Sequence, residues 1–236
     1  MHAVILAAGD GGRLQPLTDT TPKPLLKLGG RPIVNHVLDA LFAAGVRETT
    51  FVLGYLGGQI RTAVDNLHPC GMTIRFVENP AFDEGNARSL WAARDAVDGP
   101  FLLAMADHLV EPSLVAKVAA QGNGRCLLAV EHAPSDDVRR DEATLARVQD
   151  GRIVDLGKGI ADWNALDTGV FWCTPGVFDA ITPELRDGEA GAVFAWLARA
   201  GKLDAVDVTG HRWLDVDTAA DLRAADDWLA AAAGVR

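Results

Sequence analysis

The sequence predicts an α/β protein built on a doubly wound, mainly parallel sheet, with a smaller β-rich subregion. Three observations predict it. Short apolar runs alternate with stretches of helical periodicity through the first half of the chain. A glycine-rich loop follows directly on the first apolar run. An aspartate closes a later, buried-looking run. Loop and aspartate therefore both fall at carboxyl ends of strands, where open α/β sheets bind ligands.

In order, Ala3 to Ala8 reads as a strand and runs into Gly9-Asp10-Gly11-Gly12-Arg13. Pro32 to Ala44 places Ile33, Val37, Leu38, Leu41 and Phe42 at helical spacing, with Gly45 as its stop. Thr49 to Leu53 is β-branched and reads as a strand, Gln59 to Leu67 as a helix, and Thr73 to Val77 as a strand. Ala87 to Val97 reads as a helix, and Phe101 to Met105 as a buried strand ending at Ala106-Asp107-His108. The second half is less regular. Cys126 to Glu131 is a strand, and Ala143 to Val148 with Arg152 to Leu156 forms a hairpin about Asp150-Gly151. Asp167 to Cys173 is a further strand, followed by helices near Pro175 to Ala180 and over Ala190 to Ala200. Asp204 to Val208 and the Trp213 region are strand-like, and Ala219 to Ala233 is an alanine-rich helix. No repeat, linker or composition shift divides the chain, so residues 1–236 are expected to form one domain.

With 236 residues and 49% hydrophobic content the chain can build a sizeable core. The net charge of -10 argues against a broad nucleic-acid surface, while leaving room for a nucleotide held locally by a few cations. No apolar run approaches the ~18 residues that cross a bilayer. The opening Met1-His2-Ala3-Val4-Ile5-Leu6 lacks a basic leader segment. A cytoplasmic protein without membrane insertion is expected. Cys70, Cys126 and Cys173 have no metal-ligand spacing and lie in apolar contexts, so buried thiols are expected.

The densest chemical signal is Leu6-Ala7-Ala8-Gly9-Asp10-Gly11-Gly12-Arg13-Leu14, then Pro16-Leu17-Thr18 and Pro22-Lys23-Pro24-Leu25. Small residues let a ligand approach the backbone, and successive N–H groups can cradle phosphate oxygens. Arg13 and Lys23 can neutralise charge on a transferring phosphoryl group. The spacing is neither a Walker A loop nor a Gly-x-Gly-x-x-Gly fingerprint. Asp107, and Asp215 in Trp213-Leu214-Asp215-Val216-Asp217-Thr218, supply two carboxylates from separate strand ends. Magnesium takes such a pair together with phosphate oxygens and water. Asp217 is a helper for that cation or the cap of the helix that follows. His108 is a core residue, a neighbour of the site that supports its ligands, or itself a direct ligand of the cation.

Residues 3–28 resemble the N-terminal signature of the sugar-phosphate nucleotidylyltransferases, Leu-Ala-Ala-Gly-x-Gly-Thr/Ser-Arg-Leu-x-Pro-Leu-Thr followed by Pro-Lys-Pro. Gly12 departs from it, standing where Thr or Ser is usual, which removes a hydroxyl from the phosphate loop. The resemblance implies a Rossmann-like nucleotidyltransferase fold. It implies that Ala8 and Gly9 meet base and ribose through backbone, with Leu6, Ala7, Gly11, Gly12 and Ala106 in the same nucleotide site. Arg13 and Lys23 would hold the triphosphate, and Asp107 and Asp215 the Mg2+. The string Glu78-Asn79-Pro80, then Gly85-Asn86-Ala87-Arg88-Ser89-Leu90, is similar to the cytidylyltransferase branch and adds Asn79, Asn86 and Ser89 to the nucleotide side. Asn86 and Ser89 also suit a plain helix start.

The segments Asp141-Glu142-Ala143-Thr144, Asp150 to Lys158 and Asp167-Thr168-Gly169 are most similar to CTP:inositol-1-phosphate cytidylyltransferases. That likeness implies an acceptor side in which Lys158 holds the acceptor phosphate. Glu142, Asp167 and Thr168 would line a polyol pocket beside Asp107. The local readings are a solvated Lys158 and turn bonding by Glu142 and Asp167. The expected reaction is transfer of CMP from CTP to a small phosphorylated alcohol, inositol 1-phosphate first, with Mg2+ and loss of pyrophosphate. Guanylyl or uridylyl transfer to a hexose 1-phosphate is the alternative. A non-catalytic nucleotide-binding module is a reading of another class, and a detached half of a longer lipid-synthesis enzyme a third. Self-association into a homodimer stays open.

Overall fold

The computed structural model describes residues 1–132 and 143–232; Asp141 and Glu142 lie outside them. The first half runs β1 (His2–Ala7), the short antiparallel pair β2 (Lys27–Leu28) and β3 (Arg31–Pro32), α1 (Ile33–Ala43), β4 (Glu48–Leu53) and α2 (Gly57–Leu67). It continues through β5 (Thr73–Glu78), α3 (Asn86–Ala92), β6 (Phe101–Met105), β7 (His108–Val110) and α4 (Pro112–Ala120). The second half comprises β8 (Cys126–His132), β9 (Leu145–Gln149), β10 (Arg152–Gly157), β11 (Ala165–Cys173), α5 (Gly176–Asp179) and α6 (Pro183–Arg186). It closes with α7 (Ala190–Arg199), β12 (Leu203–Asp207), β13 (Trp213–Asp215) and α8 (Ala219–Ala232).

One sheet carries the fold, in the order β5-β4-β1-β6-β11-β8-β12-β10-β9. The first four strands are parallel, as the alternation of strands and helices predicts. From β11 onward the sheet is mixed. β11 runs antiparallel to both β6 and β8, β12 is parallel to β8, and β10 is antiparallel to β12 and β9. The mainly parallel expectation therefore holds for half of the sheet. The β9–β10 hairpin is forced to be antiparallel by its two-residue turn. Asp150 and Gly151 both have positive φ, 49° and 74°, which matches the twist of the strands they join.

Alternation along β1 shows why the apolar runs are continuous. Ala3, Ile5 and Ala7 enter the core on one face of the sheet, while Val4 and Leu6 enter the core on the other. Helices cover both faces. Phe51 belongs to the first core, and Phe101 and Phe194 to the second; all three are among the largest fully buried side chains. Each such burial contributes ~1.5–3 kcal/mol relative to exposure. The helix read over Ala87 to Val97 is shorter than expected, because α3 gives way to a tighter turn at Ala93–Ala96. Cys126 and Cys173 are buried, but Cys70 is exposed, contrary to its sequence reading. It lies in the turn between α2 and β5, which neither core covers. Among the described residues no helix is long and apolar enough to cross a membrane.

Candidate active site

A cleft of about 640 Å³ opens at the carboxyl ends of β1 and β6. Leu6, Ala7, Gly9 and Asp10 to Arg13 form one wall; Lys23, Ala106, Asp107 and Asp217 form the floor at one end. Phe82, Asp83, Gly85, Asn86 and Glu189 line the other end. The ends of β1 and β6 are tied together by the Ala106 N–H, which donates to the Leu6 carbonyl at 3.1 Å.

The glycine loop is held from behind. Gly11 has φ +66°, and a Cβ there would lie 3.0 Å from both Lys23 Cβ and Thr18 Cγ2. Only glycine suits this left-handed backbone pressed against two side chains. The Thr18 hydroxyl donates to the Gly11 carbonyl at 3.0 Å, and the Tyr55 hydroxyl donates to the Thr18 carbonyl at 3.1 Å. The Gly12 N–H donates to Asp10 Oδ1 at 3.1 Å, so this amide is already turned toward an anionic oxygen.

Asp107 and Asp215 meet because β7 and β13 pair antiparallel, with His108 opposite Asp215. The Val216 N–H then donates to the Asp107 carbonyl at 3.2 Å. Between them stands Lys23, whose side chain is 9% exposed. Its Nζ lies 2.6 Å from Asp107 Oδ2, 2.6 Å from Asp217 Oδ1 and 4.0 Å from Asp215 Oδ1. Burial opposes the charge on this ammonium, but the carboxylates of Asp107, Asp215 and Asp217 outweigh it and raise its pKa. Arg13 Nη2 reaches Asp217 Oδ2 at 2.5 Å. Asp217 is thus bound to both cations that the sequence singled out. It is not the helix cap. Thr218 and Asp221 serve there, with Asp221 Oδ2 accepting from the Thr218 N–H at 2.7 Å and the Asp217 N–H at 3.0 Å.

His108 lies against the same group, its Nε2 3.3 Å from Asp215 Oδ1 and 3.8 Å from Asp107 Oδ1. Burial alone would lower the basicity of this ring; the Asp215 and Asp107 carboxylates overcome it and hold the pKa at about 10. Asp167 is pushed up to about 6 by burial, against the Gly169 N–H that its Oδ1 accepts at 2.7 Å. Asp215 Oδ1 is a buried oxygen with no hydrogen-bond partner among the described residues. This oxygen lies 3.3 Å from His108 Nε2. Such an oxygen, beside a second carboxylate, fits a divalent cation.

Several sequence-predicted residues sit elsewhere. Asn79 and Ser89 do not line the cleft: both are buried, and the Asn79 Nδ2 donates to Ser89 Oγ at 3.0 Å. Asn86 does line it and is the first residue of α3, but its Oδ1 accepts from the Ala190 N–H at the start of α7 instead of capping α3. Thr168 is fully buried and its hydroxyl donates to the Ala129 carbonyl at 3.0 Å, which removes it from a polyol pocket. Lys158 is exposed in the turn after β10 and is not part of the cleft wall. Ala8 is buried behind the loop. Sequence reading missed Phe82, Asp83 and Glu189. The first two fall between motifs that were noted. Glu189 comes from the start of α7, which no local pattern connects to the glycine loop.

A nucleotidyltransferase fold with a glycine loop, two cations and three converging carboxylates defines a nucleotide-handling transferase domain. The chain belongs to the MobA-like NTP transferase domain family, whose pattern matches residues 3–162. It is 33% identical over 237 residues to the "Bifunctional IPC transferase and DIPP synthase" of Rubrobacter xylanophilus, a match covering 96% of this chain and 51% of that one. The chain thus spans about half the length of the curated relatives of this kind that it matches. It is also 32% identical over 240 residues to the N-acetylmuramate alpha-1-phosphate uridylyltransferase of Neisseria meningitidis serogroup B, covering 95% and 96% of the two chains. Among solved structures it is similar to the inositol-1-phosphate CTP transferase from T. maritima, with a TM-score of 0.82, 28% identity and coverage of 93% and 90%.

Proposed function

We propose that this chain transfers CMP from CTP to the phosphate of a small phosphorylated polyol, inositol 1-phosphate first, releasing pyrophosphate. The observation that carries the reading is the convergence of Arg13, Lys23, Asp107, Asp215 and Asp217 beside the glycine loop. The cytosine preference rests on the Asn79-Pro80 and Asn86 to Leu90 string and on the relatives named as IPC transferases.

An acceptor phosphate oxygen attacks the α-phosphorus of CTP. The new bond forms from that oxygen to the α-phosphorus, and the bond from the α-phosphorus to its bridging oxygen toward the β-phosphorus breaks. Pyrophosphate leaves with the electron pair. The attacking oxygen is already anionic, so no general base is needed, and catalysis reduces to alignment and charge neutralisation. Lys23 and Arg13 exchange their carboxylate partners for phosphate oxygens of the bound triphosphate. Asp107 and Asp215 would hold a divalent cation, Mg2+ in the first instance, which would supply charge neutralisation at the reacting phosphates. Asp167, which feels the charges of His108 and Asp215, and Lys158, exposed outside the cleft wall, would serve the acceptor side.

A second reading, uridylyl transfer to a sugar 1-phosphate, is favoured by the Neisseria relative, which this chain matches over nearly its full length. Pyrophosphate release should be measured for CTP, UTP, GTP and ATP against inositol 1-phosphate, phosphocholine, hexose 1-phosphates and an aminoalkylphosphonate. The product should be identified by mass spectrometry. CTP with inositol 1-phosphate should give the highest kcat/KM. A clear preference for UTP with a sugar 1-phosphate selects the second reading, and no release with any pair removes both.

A further inference from the structure

We infer that His108 is a third protein ligand of the divalent cation, completing with Asp107 and Asp215 a mixed nitrogen–oxygen site that favours Mn2+ and related transition ions over Mg2+. The inference rests on the proposed cation at the two aspartates and adds a nitrogen donor to it.

The β7–β13 ladder sets His108 opposite Asp215, and one ligand atom from each of Asp107, His108 and Asp215 lies within 4.8 Å of the others. His108 presents Nε2 to both carboxylates, at 3.3 and 3.8 Å.

The ring is also fixed from behind. Its Nδ1 lies 3.2 Å from the Thr168 carbonyl, which can only accept, so Nδ1 carries a proton, and Nε2, which faces the carboxylates, becomes the ligand atom when a cation displaces its own proton. A histidine ligand is oriented in this way, by a carbonyl on its other nitrogen. Thr168 is itself locked by its hydroxyl bond to Ala129. The backbone leaves room for this ring and no more. Gly169 has φ +75°, and a Cβ there would lie 1.9 Å from His108 Nδ1.

The orphan oxygen completes the set. Asp215 Oδ1 is buried without a hydrogen bond and lies 3.3 Å from His108 Nε2. Oxygen-only sites suit Mg2+, whereas imidazole nitrogen suits transition ions.

The test uses the full chain and Mn2+ alone as the probe. Pulsed electron paramagnetic resonance of bound Mn2+ should show nitrogen modulation of a coordinated imidazole. Growth with isotope-labelled histidine should shift that pattern, and His108→Gln should abolish it. The variant should weaken Mn2+ binding about tenfold or more, and should narrow the ratio of Mn2+ to Mg2+ affinity, both read by titration calorimetry. Circular dichroism melting confirms that the variant is folded, and the labelled wild-type spectrum stands even where it is not. Bound Mn2+ without nitrogen modulation, or an unchanged affinity ratio in a folded His108→Gln, overturns the inference. The proposed reaction survives that outcome if the wild type still releases pyrophosphate from Mg2+ and CTP. An ion pair between protonated His108 and the aspartates gives Mn2+ bound with no nitrogen signal and counts among the overturning results.

Discussion

Lys23 and Asp217 lie 194 positions apart in the chain, yet their Nζ and Oδ1 atoms are 2.6 Å apart and both side chains are largely buried. The pair links the loop after β1 to the segment before α8, and it brings Asp107 with it. Removing one member of a buried ion pair leaves the rest uncompensated, at a cost of about 3–5 kcal/mol. Lys23→Met should therefore lower the melting temperature in metal-free buffer. Asp107, Asp215 and Asp217 would then crowd without their cation, so added Mg2+ should recover part of the loss. Transfer activity should fall by about a hundredfold or more, the usual scale for one electrostatic donor at a reacting phosphate or carbonyl. A melting curve and kcat both left unchanged would contradict this role.

Asp217 and Thr218 are adjacent but serve different purposes. Asp217→Asn removes the charge that holds Arg13 and Lys23 while leaving the Thr218–Asp221 cap in place. It should raise the KM for nucleotide and lower kcat, with a small change in melting. Thr218→Ala should do the reverse, costing about 1 kcal/mol of stability through the cap with kcat/KM close to wild type. Parallel melts and steady-state kinetics of the two variants separate the roles, and equal kinetic losses in both would refute the division.

Much of this was legible in the sequence where the signal is local. The glycine loop, Arg13, Lys23 and Asp107 sit at strand ends that hydrophobic patterning locates, and the structure gathers them in one cleft. The two readings of Asp217, helper of the cation or cap of the helix, were not separable, because only the position of Lys23 decides between them. Asn79 and Ser89 satisfy each other inside the wall, a pairing that spacing alone does not disclose. The antiparallel insertion of β11 between β6 and β8 is a long-range choice, and local periodicity is silent on it. Glu189 precedes Ala190, whose N–H is held by Asn86 Oδ1 from across the fold, a contact that no local pattern discloses.

The glycines of the loop should respond differently to a methyl group. Gly11→Ala meets Lys23 and Thr18 at 3.0 Å in a left-handed backbone, so about 1–2 kcal/mol of stability should be lost together with activity. At Gly9 nothing lies within 4 Å of an added Cβ. Gly9→Ala should melt like the wild type but raise the KM for nucleotide, because the methyl group enters the cleft. Thermal melts beside nucleotide titrations check this, and equal stability of the two variants would be the contrary result.

The cysteines offer a check on the fold itself. Cys70 is exposed, and Cys126 and Cys173 are buried. Under native conditions a maleimide should label Cys70 quickly and the other two slowly, with all three reacting after denaturation, as read by mass spectrometry of peptides. Rapid native labelling of Cys173 would show that the junction of β11 and β8 is packed differently.

In the proposed reaction one cation-bound nucleotide is handled where the glycine loop meets Asp107 and Asp215. Its most direct measure is pyrophosphate release from CTP and inositol 1-phosphate by chelator-treated protein as Mg2+ is added back. The account predicts no release in chelator, recovery with Mg2+ in the wild type, and no recovery in a folded Asp107→Asn. Release that persists in chelator, or an Asp107→Asn protein as active as the wild type, would contradict it.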